Sequence, residues 1–381
     1  MSVKKKIITK LPDSWQDKIL SQVIASNKWR RVPTFQMLFE SFVLMGGDRN
    51  DITTVFTKAH DLNTDFYNVA RETARQREEI AHKVPKPLSK RSEYQKSLLL
   101  YFLAHWFIFE KSLIEKNYSD LLRVSKIIDS LGTVPTEKVY LEWEQGHIAC
   151  RLRVPNNQNN EQIPLMVLAQ GNDTVKETLL YVEDELLNNG IAVLNFDQPG
   201  WGESLLSGNH YDISLIYDAS KLTNEIFKFL TAVEDIDITR VGIFGFSGGG
   251  TMSTILAAAD QRFKLLVSYG GSIYDLGKAI KGLPAMQKRL VLKHYGISKD
   301  QLKTLIPAFN YQRILPQIRS ECLLIHGEKD TLAPVSTIHK AAKLISGPVE
   351  KHIVPGGNHM CSDTMIEKQI PFMISWIKKK L

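Results

Sequence analysis

The sequence predicts an α/β protein in which a mostly parallel sheet is wrapped by helices and preceded by an all-helical region. Three observations carry this expectation. Apolar residues recur at three-and-four spacing from about Asp13 to Leu131; short β-branched runs alternate with helical stretches after Gly132; and one buried-strand pattern runs through Gly-x-Ser-x-Gly straight into a helix.

The helical region comes first. Phe35, Leu38, Phe39 and Phe42 share one helical face, and Leu62, Phe66, Val69 and Ala70 share another. Val84-Pro85-Lys86-Pro87 breaks the pattern. Ser92 to Leu113 resumes it with an aromatic face that includes Tyr94, Tyr101, Phe102 and Trp106. Core packing explains such a stripe, and the wall of a substrate pocket is its functional reading. His105 lies in the same stretch and has the same two readings.

After Gly132 the pattern is that of a sheet. Lys138 to Glu144 and His147 to Val154, around Gln145-Gly146, predict an antiparallel hairpin. Buried strands are expected at Leu165–Ala169, Ala192–Phe196, Arg240–Phe244, Leu265–Tyr269, Cys322–His326 and Lys351–Val354. Helices are expected near Lys176–Asn188, Leu215–Val233, Gly249–Ala259, Val335–Ile345 and Met365–Lys380, an alternation that implies parallel pairing. Ile273–Ile318 does not alternate; its signals at Met286–Tyr295 and Lys299–Leu305 predict a helical insertion. The 381 residues therefore divide into a helical domain, 1–133, and a sheet domain, 134–381, with the insertion at about 273–318.

Composition narrows the function classes. With 43% apolar and 23% charged residues the chain is an ordinary globular one, neither disordered nor fibrous. The net charge of +7 owes part of its surplus to Lys4–Lys6 and Lys378–Lys380, and no recognition-helix pattern accompanies it, so no nucleic-acid partner is expected. Cys150, Cys322 and Cys361 are odd in number and widely spaced, which offers neither a disulfide framework nor a metal knuckle and fits a reducing compartment. The apolar run Leu98–Phe109 is shorter than the roughly 18 residues of a membrane span. A cytoplasmic protein without membrane, metal or cofactor is the expectation.

The chemistry centres on Val241 to Gly250, where a strand runs into Gly245-Phe246-Ser247-Gly248-Gly249 and then a helix. Only a very sharp turn lifts a serine hydroxyl above a strand end, and the flanking glycines permit it. No lysine follows Gly250, which excludes a phosphate loop, and Gly200-Trp201-Gly202 lacks the third glycine of a dinucleotide fingerprint. A serine hydroxyl needs a base and the base an orienting acid. Asp330 follows a strand in His326-Gly327-Glu328-Lys329-Asp330, and His359 ends the loop Pro355-Gly356-Gly357-Asn358-His359. His326 is read as structural. The expected oxyanion donors are the amides of Gly248 and of Asn172, in the loop after Leu165–Ala169.

Gly245–Gly249, Asp330 and His359 together resemble the α/β-hydrolase superfamily, and Asp197-Gln198-Pro199-Gly200-Trp201-Gly202-Glu203-Ser204 is similar to its Asp-x-Pro-Gly-x-Gly-x-Ser turn. Gly171-Asn172-Asp173-Thr174-Val175-Lys176-Glu177, Glu203 and the helical region narrow the resemblance to one group. It holds the fermentation-respiration-switch esterase-like proteins, 2,6-dihydroxypseudooxynicotine hydrolase and polyketide-shortening hydrolases, the polyketide-trimming lyase type of anthraquinone biosynthesis among them. Gln170 stands where that group has a second glycine.

The resemblance implies an α/β-hydrolase fold with an N-terminal lid domain, and secondary-metabolite chemistry. Ser247, deprotonated by His359, would cleave a carbon–carbon bond next to a carbonyl in a β-polyketone. The substrate would be a small-molecule or carrier-bound polyketide, in a pocket lined by some of Tyr94, Tyr101, Phe102, His105, Trp106, Glu203 and Phe246. A homodimer is the expected assembly. A carboxylesterase or thioesterase with the same triad, and a non-catalytic binding protein on the same fold, are the alternatives.

Overall fold

The structure, a computed structural model, describes residues 21–381 other than 27, 30–32, 63, 105, 109, 144–145, 157–160, 173, 209–214, 216–217, 283–287, 289–290 and 293–295. The chain divides into two compact units: Met1–Thr133 with Pro284–Arg289, and Val134–Leu283 with Leu290–Leu381.

In the first unit α1 (Pro33–Leu44), α2 (Arg49–Lys58), α3 (Thr64–Lys83), α4 (Pro87–Ala104) and α5 (Lys111–Ser130) follow one another. Asp48 caps α2 by accepting from Asn50 N. The proline pair separates α3 from α4, and Pro87 opens α4, where its missing N–H has no intrahelical partner to lose. The single aromatic helix expected over Ser92–Leu113 is interrupted between Ala104 and Lys111. Trp106-Phe107-Ile108 has weak helix propensity, and the break inserts the Phe107 ring edge-on against Phe66, at 4.9 Å, and Phe35, at 6.1 Å. Packing outweighs the helical periodicity.

The second unit holds β1 (Glu137–Trp143), β2 (Gly146–Arg153), β3 (Ile163–Ala169), β4 (Ala192–Phe196), β5 (Ile236–Phe246), β6 (Leu265–Tyr269), β7 (Glu321–Gly327) and β8 (Val349–Val354). They form one sheet in the order β1-β2-β4-β3-β5-β6-β7-β8. β1 pairs with β2, and β2 with β4, antiparallel; the later pairings are parallel. The helices are α6 (Leu180–Asn188), α7 (Gly202–Leu206), α8 (Ser220–Thr231), α9 (Gly248–Ala259), α10 (Leu276–Gly282), α11 (Lys299–Leu305), α12 (Val335–Ala342) and α13 (Ile370–Lys380). The expected alternation of strand and helix is found.

Burial explains why the strands read as they do. Leu165 to Ala169 in β3 and Leu323 to Ile325 in β7 are fully buried, with both faces covered, so their sequences are unbroken apolar runs. β1 has one face exposed and alternates. β8 is an edge, and its exposed Glu350 and Lys351 discourage addition of a further strand.

Local differences from the sequence reading have local causes. Lys176–Asn188 is a tight 3₁₀ turn, Lys176–Thr178, followed by α6, because the Lys176 amide turns aside to donate to Asp197 Oδ1 at 2.9 Å. α8 starts at Ser220, whose amide donates to Asp218 Oδ1 at 2.9 Å. In the expected insertion, α11 lies where predicted, α10 was not anticipated, and the Met286–Tyr295 signal falls largely outside the described residues. Among the described residues, no helix is long and apolar enough to cross a membrane.

One feature of the topology positions the site. β4 and β5 flank β3 on opposite sides, so the chain crosses over β3 between them. The carboxyl ends of β3 and β5 thus form a topological switch point, where open α/β sheets hold ligands.

Candidate active site

The register pairs Ala169 with Gly245, Phe246 with Tyr269, Tyr269 with Ile325, and Gly327 with Val354. Segments leaving β3, β5, β7 and β8 therefore emerge along one edge of the sheet. They carry Asn172, Ser247, Asp330 and His359.

Ser247 joins β5 to α9 at φ 51°, ψ −116°. A non-glycine residue held there stores about 1–3 kcal/mol of strain. The surroundings hold it: its amide donates to Tyr269 O at 2.7 Å, and its carbonyl accepts from Thr251 N at 3.2 Å. A Cβ on Gly245 would strike the carbonyl of Gly249. One on Gly248 would strike the Asn172 side chain and lie 3.1 Å from Asn172 N, so the two residues expected to supply oxyanion donors are close neighbours. The Asn172 loop is fixed from behind. Trp201 Nε1 donates to Asn172 O at 3.1 Å, and the buried Gln170 amide, turned so that both its atoms find partners, donates to Phe196 O and accepts from Gln198 N. Gln170 in place of glycine thus ties the end of β3 to the end of β4.

His359 bridges the other two side chains. Its Nε2 lies 2.8 Å from Ser247 Oγ and its Nδ1 2.7 Å from Asp330 Oδ2. A carboxylate only accepts, so Nδ1 carries the proton and Nε2 presents its lone pair to the seryl hydroxyl. The histidine loop is anchored by Tyr269, whose hydroxyl donates to Met360 O at 3.0 Å, and by Lys329 N, which donates to Gly357 O at 2.8 Å. Burial alone would push the Asp330 carboxyl up; the charge on His359 and hydrogen bonds from His326 and His359 outweigh it and hold Asp330 well below the usual carboxylate range. Such an array can deprotonate a hydroxyl, hold the imidazolium that results, and later return the proton.

Phe246 is buried beside Ser247, against Phe244 and Tyr269. The carboxylate of Glu203 is engaged by Lys176 Nζ at 2.8 Å and the Tyr140 hydroxyl at 3.0 Å. Tyr94, Tyr101, Phe102 and Trp106 are buried in the helical unit, where the Tyr101 hydroxyl donates to Glu78 at 2.7 Å and the Tyr94 hydroxyl lies 3.3 Å from His82 Nδ1. His105 lies outside the described residues.

Two further groups lie near the site: His326, which the sequence reads as structural, and Lys176, which it does not single out. His326 is fully buried with Nε2 3.1 Å from Asp330 Oδ2; the spacing His-Gly-x-x-Asp was its only signal. Lys176 Nζ is surrounded by Glu177 at 2.7 Å, Glu203 at 2.8 Å and Asp197 at 2.9 Å. This cluster joins the two segments, Gly171–Glu177 and Asp197–Ser204, on which the family resemblance rests.

Comparison with known proteins agrees with this architecture. Residues 224–381, which include Ser247, Asp330 and His359, match the model of the prolyl oligopeptidase family. Hydrolase LUC6 of Fusarium sp is 34% identical over 149 residues, covering 37% of this chain and 35% of that protein. The 2,6-dihydropseudooxynicotine hydrolase of Paenarthrobacter nicotinovorans is 26% identical over 216 residues, covering 56% and 57%. The chain thus spans about a third to just over half of the length of these curated relatives. A crystal structure of 2,6-dihydroxy-pseudo-oxynicotine hydrolase superposes with a TM-score of 0.74 at 20% identity, over 90% of this chain and 95% of that one. With this sheet order, this strand-to-helix serine turn and these likenesses, the chain has the α/β-hydrolase fold.

Proposed function

We propose that the chain is a serine-dependent enzyme that cleaves the carbon–carbon bond next to a carbonyl in a β-polyketone or aromatic polyketide, shortening its chain. The observation that carries the reading is the line Ser247 Oγ, His359 Nε2, His359 Nδ1, Asp330 Oδ2, with its outer hydrogen-bond distances of 2.8 and 2.7 Å. The likeness to hydrolases such as that for 2,6-dihydropseudooxynicotine supports it.

In this reaction His359 takes the hydroxyl proton as Ser247 Oγ bonds to a ketone carbon, and the carbonyl oxygen becomes an oxyanion facing the amides of Gly248 and Asn172. Collapse of the adduct breaks the bond to the neighbouring carbon. The departing carbanion is an enolate, its charge spread over the second carbonyl, and His359 delivers the proton to it. Water, deprotonated by the same imidazole, then releases the acyl group as an acid. Nothing beyond ester-hydrolysis machinery is needed once the substrate supplies an enolate leaving group. The substrate, free or carrier-bound, is proposed to meet a cytoplasmic homodimer, with the helical unit as the lid.

Mass spectrometry of products from candidate β-polyketones tests the proposal. A shortened acid and ketone pair, absent with Ser247→Ala, is expected; equal turnover by both proteins overturns it. Hydrolysis of short nitrophenyl esters far exceeding cleavage of β-diketones replaces it with the carboxylesterase reading.

A further inference from the structure

Every acceptor site of Asp330 is occupied. Oδ1 accepts from Leu332 N at 2.8 Å and Ala333 N at 2.9 Å, while Oδ2 lies 2.7 Å from His359 Nδ1 and 3.1 Å from His326 Nε2. The acid of the triad thus sits between two imidazoles that share one oxygen. His326 Nε2 also lies 2.6 Å from Ala333 O. Both of its neighbours are acceptors, so Nε2 must carry hydrogen. The other nitrogen, Nδ1, is buried with no hydrogen-bond partner among the described residues.

The arrangement makes His326 a clamp. Its N–H reaches the first residue of the Asp330–Ala333 turn through the carboxylate and the last through the carbonyl, while the amides of that turn close on Oδ1. Because β7 is paired on both sides, by β6 and β8, and is fully buried at His326, the clamp fixes the carboxylate to the rigid sheet rather than to the loop alone. It also draws on the same lone-pair oxygen that His359 uses. An oxygen that accepts a second N–H is a weaker base toward the first.

Resting on the triad reading above, we propose that His326 is a positioning residue: its Nε2–H orients Oδ2 of Asp330 toward His359 and moderates the pull of that oxygen on the His359 proton. Other titratable groups lie near the pair. Burial pushes the Cys361 thiol in the His359 loop up to about 11 and raises the Tyr269 phenol at the end of β6. Glu328, in the Asp330 loop, accepts from Gly356 N at 2.8 Å and faces solvent.

The test compares two amides. In His326→Gln the side-chain NH₂ reaches the position of Nε2; in His326→Asn it reaches only that of Nδ1, where no acceptor waits. Kinetics are expressed per site titrated with a fluorophosphonate, so that loss of folded protein is not counted as loss of rate. For His326→Asn the acid limb of kcat/KM is expected to move to higher pH by about half a unit or more, because Asp330 then spends its charge on His359 alone. The turnover per labelled site is expected to fall about fivefold, the worth of one hydrogen bond. His326→Gln is expected to restore both. An unmoved acid limb in His326→Asn, or equal behaviour of the two amides, overturns the proposal. Should His326→Asn not fold, His326→Met fills the site without a donor and carries the same expectation. In the unsubstituted protein, ¹⁵N spectra must place the His326 proton on Nε2; finding it on Nδ1 overturns the proposal without any variant. The triad reading fails separately, if Ser247→Ala keeps its activity or wild-type Ser247 does not label.

Discussion

Lys176 Nζ lies 2.9 Å from Asp197 Oδ2, and both side chains are buried, so an ammonium and a carboxylate meet in the interior directly behind the Asn172 loop. Glu177 and Glu203 complete a cluster of one cation and three carboxylates. The Lys176 amide donates to Asp197 Oδ1, and Asp197 Oδ2 accepts from Glu203 N at 2.8 Å. The cluster therefore fixes the loop after β3 to the turn after β4. Geometry at the proposed oxyanion site is set from behind by charge.

Removing the cation while keeping its length takes away the counter-charge that Glu177, Asp197 and Glu203 share. Breaking a buried pair in this way costs about 3–5 kcal/mol. For a unit of this size each kcal/mol lowers Tm by about 2–4 °C. Lys176→Met is expected to melt at least about 6 °C lower by calorimetry. An unchanged Tm would mean that the cluster does not stabilise the fold.

Asp197 gives stability a definite pH slope. Burial, acting against the pull of Lys176, raises its carboxyl to about 6. The folded state then holds a proton that the unfolded chain, titrating near 3.8, has released. Between about pH 4 and 6 stability from this group falls as pH rises, and above 6 the cost is fully present. Asp330 has the opposite sign: its lowered carboxyl stabilises the fold above the unfolded value, and that stability is lost as pH falls below it. Asp197→Asn is expected to remove the loss of stability between about pH 4 and 6, read from denaturant midpoints at each pH. A slope identical to that of the unsubstituted protein would contradict this.

How far the sequence exposes the site follows from the range of the interactions. Ser247, Asp330 and His359 are each marked by local grammar, a strand followed by a turn, and the parallel register places strand ends together without further information. Strands β4 and β6 match their expected limits because both faces are buried and each apolar run is closed by a residue that breaks it, Asp197 after Phe196 and Gly270 after Tyr269. The break after Ala104 was hidden, because the Phe35 and Phe66 rings that reward it lie 72 and 41 positions before Phe107 in the chain. The partners of Lys176 were hidden likewise: Asp197 lies 21 positions away and Glu203 lies 27. A lone lysine in a polar loop carries no sign that it will be buried.

The triad acid is expected to act through orientation. Asp330→Asn keeps the size of the side chain, but the amide nitrogen cannot accept the His359 Nδ1–H. His359 would then turn over its tautomer or its ring, and Nε2 would no longer accept from Ser247. In the protease that serves as the general example, the equivalent change lowers turnover about 10⁴-fold. A loss of about that size in kcat, with KM little changed, is the expected result of steady-state kinetics. A loss below about tenfold would show that Asp330 does not orient the base.

Gly248 offers the sharpest test of the proposed oxyanion site, because a side chain there strikes Asn172, the other expected donor. A Cβ there would occupy the space of Asn172 Oδ1 and Cγ. The Asn172 arm must give way. The hydroxyl and the imidazole stay in place, so the attack remains feasible while the oxyanion loses a donor. Gly248→Ala is therefore expected to lower kcat about 10²–10³-fold, the usual cost of one missing donor. It should also weaken a trifluoromethyl ketone, which mimics the tetrahedral adduct, by a similar factor, while the affinity for unreacted substrate changes little. Equal weakening of both ligands would place the effect in the pocket and not at the oxyanion.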